Sequence, residues 1–263
     1  MKAKKSLGQN FLNNKTICDS IVFLLSPTKK DLIIEIGPGK GILTKKLKKH
    51  NTRIVGIEID KNLKEHLSLL EDDNCKIIYN DILKTDIQSL LKDYKYNDLY
   101  IVGNLPYYIT TPIIEHIIKS KVNPIKMVFM VQKEVAERFS ATPNTKKYGY
   151  ITVYLNHYFD IKKELFVSKK NFSPKPKVDS QVISFIRKEV KAIDNEQEFF
   201  EFVKECFIHK RKTLKNNIGN RKFSIIKGVL NENGFNDMVR AESLNEEMFI
   251  KIYLLLKKKA DIS

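Results

Sequence analysis

Apolar runs alternate with segments of helical spacing along the first half of the chain, and this alternation restricts the fold more than any other feature. Five runs rich in isoleucine and valine have the length and composition of buried strands: 31–37, 53–59, 75–80, 99–104 and 126–132. Segments with helical spacing lie between them, among them 41–49, 61–70 and 110–120. Strands that alternate with helices predict a mostly parallel sheet covered on both faces, a doubly wound α/β fold.

The next part of the chain predicts one helix and two further strands. Apolar residues in 148–158 recur with helical spacing, although β alternation fits this segment nearly as well. The runs 162–168 and 180–186 read as strands that could form an edge hairpin. Pro174 and Pro176 lie between them, so the connecting loop cannot be a central strand.

The character of the sequence changes near residue 188. A polar connector begins there, and the segments that follow it have helical patterns: 196–209, 211–218, 223–232 and 245–258. We therefore predict two domains, an α/β domain over 1–187 and a small all-α domain over 188–263.

The net charge of +16 favours a polyanionic partner such as nucleic acid. Lysine outnumbers arginine by 41 to 6, and part of this excess is what an AT-rich genome would produce. Charge therefore indicates nucleic acid without establishing it.

Cysteine content and hydropathy indicate the compartment. Cys18, Cys75 and Cys206 are few and far apart, which predicts a reducing environment with no disulfide framework and no metal site. No apolar run reaches the roughly 18 residues of a membrane span, and the N-terminus carries no apolar signal region. We expect a soluble cytoplasmic protein with no membrane partner, and a monomer because no pattern suggests an oligomer.

A glycine-rich turn follows the first strand, in EIGPGKGILTKKL at 35–47. Gly37, Gly39 and Gly41 permit positive φ and let a ligand approach the backbone closely. No GK[ST] closes the turn, which excludes a P-loop, and Ile42 stands where a dinucleotide fingerprint needs its third glycine. The tighter GxGxG spacing is typical of nucleoside-binding methyltransferase sites, although a plain strand–helix turn would also account for it.

Two acids at later strand ends sharpen this interpretation. Glu58 ends the second strand, where an acid would accept hydrogen bonds from ribose hydroxyls. Asp81 follows the third strand, where a carboxylate can accept from an exocyclic adenine amine. Either acid alone would more often be a solvated strand-end residue. With Gly37 they lie in order at the carboxyl ends of successive strands, where open α/β sheets bind ligands, and together they indicate S-adenosylmethionine.

The sequence VGNLPYYITTPII at 102–114 places Asn104 after the fourth strand, facing the same crevice. An exocyclic adenine amine is a poor nucleophile because its lone pair is delocalised into the ring. The side-chain oxygen of Asn104 and the carbonyl of Leu105 could each accept one N–H, which favours a tetrahedral nitrogen aimed at a methyl donor. Pro106 stiffens the turn, and Tyr107 offers a face on which an extruded base can stack. The alternative is that these residues merely end a strand.

Five ordered motifs resemble those of a known family across nearly the whole chain. LGQNFL at 7–12, EIGPGKG at 35–41, GNLPY at 103–107, FSPKPKVDS at 172–180 and KRKTL at 210–214 are similar to the small-subunit ribosomal RNA adenine dimethyltransferases, the KsgA type. The resemblance implies a Rossmann-like class I methyltransferase fold with a mostly parallel seven-stranded sheet and a small helical C-terminal domain. It also implies S-adenosylmethionine as cofactor and small-subunit rRNA, within an immature 30S subunit, as partner.

The resemblance further implies the reaction and its residues. Two adjacent adenosines of a 3′-terminal hairpin loop would each be dimethylated at N6. Tyr107 and Phe172 would flank the target base, and the cofactor contacts would be Asn10, Leu12, Gly37, Glu58, Asp81 and Asn104. Without the resemblance, QNFL would more often be a helix cap, and Phe172 would more often be an ordinary packing residue.

Lysines flank several of these motifs. Lys169, Lys170, Lys175 and Lys177 surround Phe172 and could hold phosphates. A predicted basic helical face in the second domain, which would more often be only solvated, consists of Lys210, Arg211, Lys212 and Lys215.

Three other functions stay open at this point. The first is an Erm-type resistance methyltransferase, which modifies an adenine of large-subunit rRNA. The second is a DNA adenine methyltransferase, although such enzymes usually carry a second proline where this chain has Leu105. The third is a non-enzymatic nucleic-acid-binding factor on the same fold, against which the complete set of site residues argues.

Overall fold

A seven-stranded sheet organises the computed structural model, which describes Lys4, residues 7–190 and residues 192–260. Its strands are β2 (Leu32–Ile36), β3 (Arg53–Glu58), β4 (Cys75–Tyr79), β5 (Leu99–Asn104), β6 (Lys126–Gln132), β7 (Phe159–Val167) and β9 (Ser180–Arg187). Their spatial order is β4-β3-β2-β5-β6-β9-β7. A separate two-residue ladder pairs β1 (Phe11–Leu12) with β8 (Phe172–Ser173). All seven strands predicted from the sequence are present.

The ladders among the first five strands of the sheet are parallel, and β9 pairs antiparallel with β6. The strand order reverses between β2 and β5, since β3 and β4 extend the sheet on one side and β6 on the other. Open α/β sheets bind ligands outside the carboxyl ends of the strands at such a reversal. The topology therefore places a crevice where β2 and β5 end.

The helices between these strands are short. In chain order they are α1 (Lys15–Leu25), α2 (Ile42–Leu47), α3 (Lys64–Ser68), α4 (Ile87–Leu91), α5 (Thr110–Lys119) and α6 (Lys133–Phe139). Asn14 caps α1, because its side chain accepts hydrogen bonds from the backbone N–H groups of Thr16 and Ile17. All five residues of β2 are buried, as expected for the centre of a sheet covered on both faces.

The remaining helices are α7 (Tyr150–Tyr158), α8 (Glu196–Cys206), α9 (Leu214–Glu232) and α10 (Glu246–Ala260). The helical pattern predicted for 148–158 is thus confirmed. Two separate helices predicted at 211–218 and 223–232 form one element, which Gly219 interrupts with φ 82° and ψ 160°. Lys210, Arg211 and Lys212 lie in a turn before α9, so only Lys215 of the predicted basic face is helical.

Two compact units make up the chain, 1–136 with 160–187 and 137–159 with 188–263. The second unit includes α7 because Tyr154 packs on Phe200 of α8 with ring centroids 4.7 Å apart, and His157 Nδ1 lies 2.6 Å from Glu246 Oε1. The division into domains over 1–187 and 188–263 stays a prediction, and the second compact unit also includes 137–159.

Within the described ranges, no helix combines the length and apolar character needed to cross a membrane. Among the same residues, no group of three or more His, Cys, Asp or Glu side chains is placed to hold a metal ion.

Candidate active site

A cleft at the carboxyl ends of β2, β3, β4 and β5 gathers most of the predicted site residues. Gly37, Glu58, Asp81 and Asn104 each stand at or just after one of these four strands, and all line the cleft. Asn10, from the segment before α1, lines it as well. The structure therefore brings together, in one crevice, five residues that are far apart in the sequence.

The glycine turn shapes the floor of the cleft. Gly37 and Gly39 have φ of +66° and +58°, which residues with a side chain rarely adopt. The Gly37 N–H donates to the Ile57 carbonyl over 2.9 Å, and the Gly39 N–H donates to Glu58 Oε2 over 2.9 Å. These bonds lock the turn against the end of β3.

Glu58 is a nearly buried acceptor, with 4% of its surface exposed. Its Oε1 accepts the Asp60 N–H over 2.9 Å, and its Oε2 accepts from Gly39. Burial raises the pKa of this carboxyl, and the backbone hydrogen bonds from Asp60 and Gly39 oppose that rise. Each oxygen keeps a second lone pair, so Glu58 can still accept from a ligand hydroxyl.

Asp60 anchors the N-terminal segment beside the cleft, a role that the sequence analysis missed. Gln9 Nε2 donates to its Oδ2 over 2.8 Å, and Lys4 Nζ lies 2.7 Å from its Oδ1. Burial pushes the pKa of Asp60 upward, but the bonds from Lys4 and Gln9 outweigh it and hold the pKa below its ordinary value. The available signal was an acid two residues after Glu58 and an unexplained amide at position 9.

Asp81 begins the short 3₁₀ turn Ile82–Lys84, as its position after β4 predicts. Its Oδ1 accepts the Leu83 N–H over 3.0 Å, and its backbone carbonyl accepts from the Thr85 hydroxyl. The first bond orients the carboxylate, and the second holds the backbone of the turn.

The two ends of the Asn104 carboxamide have different environments. Nδ2 donates to the Asn10 carbonyl over 2.9 Å. No donor among residues 4, 7–190 and 192–260 reaches Oδ1 of Asn104 or the carbonyl oxygen of Leu105. The Leu105 N–H bonds to Met130 O over 3.1 Å, which holds the corner against β6. Both predicted acceptors are thus unpaired among the described residues, and Leu105 is 1% exposed.

Two tyrosines follow this corner in different settings. The Tyr107 hydroxyl lies 2.8 Å from Ser180 Oγ, and burial raises its pKa above the ordinary tyrosine value. Tyr108 is 60% exposed at the rim, and its ring lies against Gly8, where an added Cβ would be 3.0 Å from its Cε1. Tyr107 is the fixed ring, and Tyr108 is a rim residue that the sequence analysis did not assign.

Two predicted site residues do not line this cleft. Phe172 is 4% exposed and Leu12 is 6% exposed, and both belong to the hydrophobic core. They are paired partners in the β1–β8 ladder, which turns their side chains inward. Phe172 is therefore not an open stacking face in this structure, and packing is its observed role. Leu12 lines a smaller neighbouring cavity, together with Asn104 and Glu35.

The cleft suits a nucleoside-containing cofactor. Carboxylate and amide side chains line it beside the glycine backbone. Apolar side chains of Ile36, Ile57, Ile82 and Ile113 cover parts of its wall. Carboxylate and amide acceptors therefore face an apolar slot, which matches ribose hydroxyls and a purine ring in one ligand.

Known proteins resemble this chain over almost its full length. The family model "Ribosomal RNA adenine dimethylase" matches residues 1–258. Ribosomal RNA small subunit methyltransferase A of Mycoplasma mycoides subsp. mycoides SC is 39% identical, over 97% of this chain and 98% of its own. The protein of the same name from Natranaerobius thermophilus is 37% identical, over 99% of this chain and 93% of its own.

Solved structures also resemble this chain over almost its full length. A dimethyladenosine transferase from Plasmodium falciparum matches with a TM-score of 0.78 and 26% identity, over 95% of this chain and 98% of that one. The 23S rRNA methyltransferase ErmE matches with a TM-score of 0.72 at 22% identity, over 94% and 100%, which is a likeness of fold. The chain has the class I methyltransferase fold and belongs to the ribosomal RNA adenine dimethylase family.

Proposed function

We propose that this protein transfers methyl groups from S-adenosylmethionine to N6 of two adjacent adenosines in the 3′-terminal hairpin loop of small-subunit rRNA. The observation that carries the proposal is the corner at Asn104 and Leu105, where two oxygens have no donor among the described residues and lie beside a cleft lined by Glu58 and Asp81. Relatives named ribosomal RNA small subunit methyltransferase A support the choice of subunit.

The residues of the cleft would hold the cofactor. Glu58 would accept from ribose hydroxyls and Asp81 from the adenine amine, while Gly37 leaves the floor open to close approach. Asn10 and Asn104 would close the other side. When bound, S-adenosylmethionine supplies an electrophilic methyl group on a sulfonium centre.

Asn104 and Leu105 would activate the target amine. Each oxygen accepts one N–H, which draws the nitrogen out of conjugation and leaves its lone pair free to attack. Asn10 fixes the amide orientation, because its carbonyl accepts from Nδ2 and so leaves Oδ1 as the acceptor facing the substrate. Most of the remaining rate enhancement comes from alignment, and no strong general base is needed.

Tyr107 would hold the base. Its hydroxyl bond to Ser180 restrains the ring, and stacking of one base on an aromatic face is worth about 1–3 kcal/mol. Adenines in a hairpin loop are already partly unstacked, so extruding one costs less than from a duplex. A stacking role for Phe172 stays a prediction that requires the β1–β8 ladder to open.

The proposal extends to partners and location. The substrate would be an immature 30S subunit, the protein would act as a monomer, and the reaction would take place in the cytoplasm. The helical domain over 188–263 would contact RNA through basic side chains such as Lys210 and Arg211, both of which are exposed.

Methylation of isolated ribosomal subunits tests this function. The protein is incubated with labelled S-adenosylmethionine and either small or large subunits that lack the modification. We expect transfer to the small subunit alone. Transfer only to the large subunit would identify a resistance-type methyltransferase, and measurable cofactor binding without transfer to either subunit would refute the proposal.

A further inference from the structure

An exposed aromatic ring lies at the same edge of the sheet as the cleft and is assigned no role by the proposed reaction. Phe166, near the end of β7, is 53% exposed. Its neighbours Leu165 and Val167 pack into the hydrophobic core, so strand alternation directs Phe166 away from that core. Phe166 is one of several exposed large apolar side chains, and the positive charge near it distinguishes it from the others.

One lysine lies against this ring, and four more follow it in the sequence. Lys133 Nζ lies 5.8 Å from the centroid of the Phe166 ring. Residues 166–178 contain four lysines and no acid, and Lys170, Lys175 and Lys177 are exposed. Lys169 Nζ reaches only the Lys177 carbonyl, and the described residues offer no carboxylate within ion-pair distance of these lysines. The segment 166–178 is therefore rich in positive charge, and Lys133 adds a cation against the Phe166 ring.

Asp179 and Ser180 connect this segment to the cleft. The Asp179 carboxylate accepts the Lys169 N–H over 2.9 Å, and its carbonyl accepts the Lys133 N–H over 3.0 Å. The next residue, Ser180, holds the Tyr107 hydroxyl at 2.8 Å. Ser180 also pairs with Gln132 at the carboxyl end of β6. The exposed ring and Ser180, which holds the proposed platform for the target base by a hydrogen bond, thus lie on one continuous segment, 166–180.

We propose that Phe166 and the lysines around it form a second nucleotide subsite, which binds an unpaired nucleotide near the target adenosine. An aromatic face within a positively charged groove is the usual arrangement for single-stranded nucleic acid. The base would stack on Phe166, while Lys133 and Lys177 would contact the adjoining phosphates. This inference rests on the proposed function, because it assumes that the target adenosine enters beside Tyr107.

Substitution at position 166 tests the subsite. Affinities for unmethylated small subunits are compared for Phe166→Ala, Phe166→Tyr and the unsubstituted protein, with Phe23→Ala as matched control. Phe23 is 79% exposed on α1 and lines a surface cavity with two acids, Asp19 and Glu164. We expect Phe166→Ala to weaken binding about 5- to 150-fold, and Phe166→Tyr and Phe23→Ala to leave it within about twofold. Equal affinities for Phe166→Ala and Phe23→Ala would overturn the inference.

A cross-linking experiment identifies the occupant without depending on a loss of affinity. p-Benzoylphenylalanine at position 166 keeps an aromatic ring there and reacts with what lies against it. We expect a cross-link to rRNA within a few nucleotides of the methylated adenosines. A cross-link to a second copy of this chain, to a ribosomal protein, or to nothing would contradict the subsite.

The two proposals fail in distinguishable ways. If the unsubstituted protein methylates the small subunit but Phe166→Ala binds normally, only the subsite is wrong. If the unsubstituted protein methylates neither subunit, the proposed function is wrong, whatever affinity the variants at position 166 have for small subunits. Lys133→Gln tests the subsite independently. Loss of one phosphate contact should reduce the slope of log RNA affinity against log salt by about one.

Discussion

The amide nitrogen and the amide oxygen of Asn104 have different roles. Its Nδ2 is committed to the Asn10 carbonyl, so the orientation of the amide is fixed before any ligand arrives. Preorganised acceptors contribute most when they need not reorient at the moment of reaction. The corner is therefore a rigid element of the site.

Asn104→Ala should reduce methyl transfer by at least about 100-fold, because it removes a preorganised polar group at the reacting nitrogen. RNA affinity should change little, since phosphate contacts lie elsewhere. Single-turnover methylation and gel-shift assays measure the two effects. Asn62→Ala removes an exposed amide outside the cleft and should alter neither. Parallel losses of transfer and RNA binding in Asn104→Ala would contradict the role assigned to this side chain.

Glu35 introduces a pH dependence of stability. It is 2% exposed, its Oε2 accepts from the Thr44 hydroxyl over 2.7 Å, and burial raises its pKa to about 7. The folded state therefore holds this proton at pH values where the unfolded chain has lost it. Its contribution to the free energy of unfolding should fall as pH rises from about 4.5 to about 7, and then level off.

Glu35→Gln keeps an acceptor for Thr44 and cannot ionise. Relative to this variant, the native protein should lose on the order of 1–3 kcal/mol of unfolding free energy between acid and neutral pH. Urea denaturation at several pH values measures the difference. A difference that is independent of pH would show that Glu35 does not titrate in this range.

Some residues of the site could be located from the sequence, and others could not. The sequence predicts that four residues lie together in the cleft, Gly37, Glu58, Asp81 and Asn104. Each follows a parallel strand, and the carboxyl ends of parallel strands lie at one edge of the sheet. Phe172 and Leu12 could not be located, because the β1–β8 ladder joins residues about 160 apart in sequence. Asp60 was missed because its partners, Lys4 and Gln9, lie 56 and 51 residues away in the sequence.

At the scale of elements, the contact of β5 with β2 depends on a residue without a side chain. Gly103 pairs with Ile36, and a Cβ at position 103 would lie 2.6 Å from the Ile36 carbonyl oxygen. Backbone atoms cannot move aside as a flexible side chain can. The glycine of GNLPY is therefore required by the sheet as well as by the site.

Gly103→Ala should lower the free energy of unfolding by about 1–3 kcal/mol, through overpacking against β2. It should also reduce transfer, because Asn104 moves with β5. Thermal or urea unfolding measures the first effect. Gly228→Ala is the matched control, since a Cβ there meets nothing within 4 Å inside helix α9, and it should be neutral or slightly stabilising. Equal stability of the two variants would contradict the close approach.

Element prediction succeeded where patterns are local and strong. The five parallel strands agree with their apolar runs to within a residue or two, because burial on both faces leaves a continuous signal. Helix α9 begins at Leu214, three residues later than predicted, because Thr213 caps it by accepting the Asn216 N–H. Helices α4 and α6 are short, and segments of that length give little periodicity.

For the whole molecule, the net charge of +16 should appear as a strong salt dependence of RNA binding. Replacing Lys210, Arg211 and Lys212 by glutamine should make the slope of log affinity against log salt shallower by about two. Transfer within the bound complex should be unchanged, because these residues lie outside the cleft.

The matched control replaces three exposed lysines, Lys29, Lys30 and Lys49, which precede the amino ends of β2 and β3 and so lie at the edge opposite the cleft. It should leave the slope unchanged. If both triple variants shift the slope equally, binding follows total charge and not a defined RNA surface.

The most direct measurement of the central claim is mass spectrometry of small-subunit rRNA after incubation with this protein and S-adenosylmethionine. The account predicts two neighbouring N6,N6-dimethyladenosines in the 3′-terminal hairpin loop, and their absence when Asn104 is alanine. A methylated rRNA in which Asn104→Ala gives the same product at the same rate would contradict the mechanism. Modification confined to another RNA, or to another atom of adenine, would contradict the proposed function.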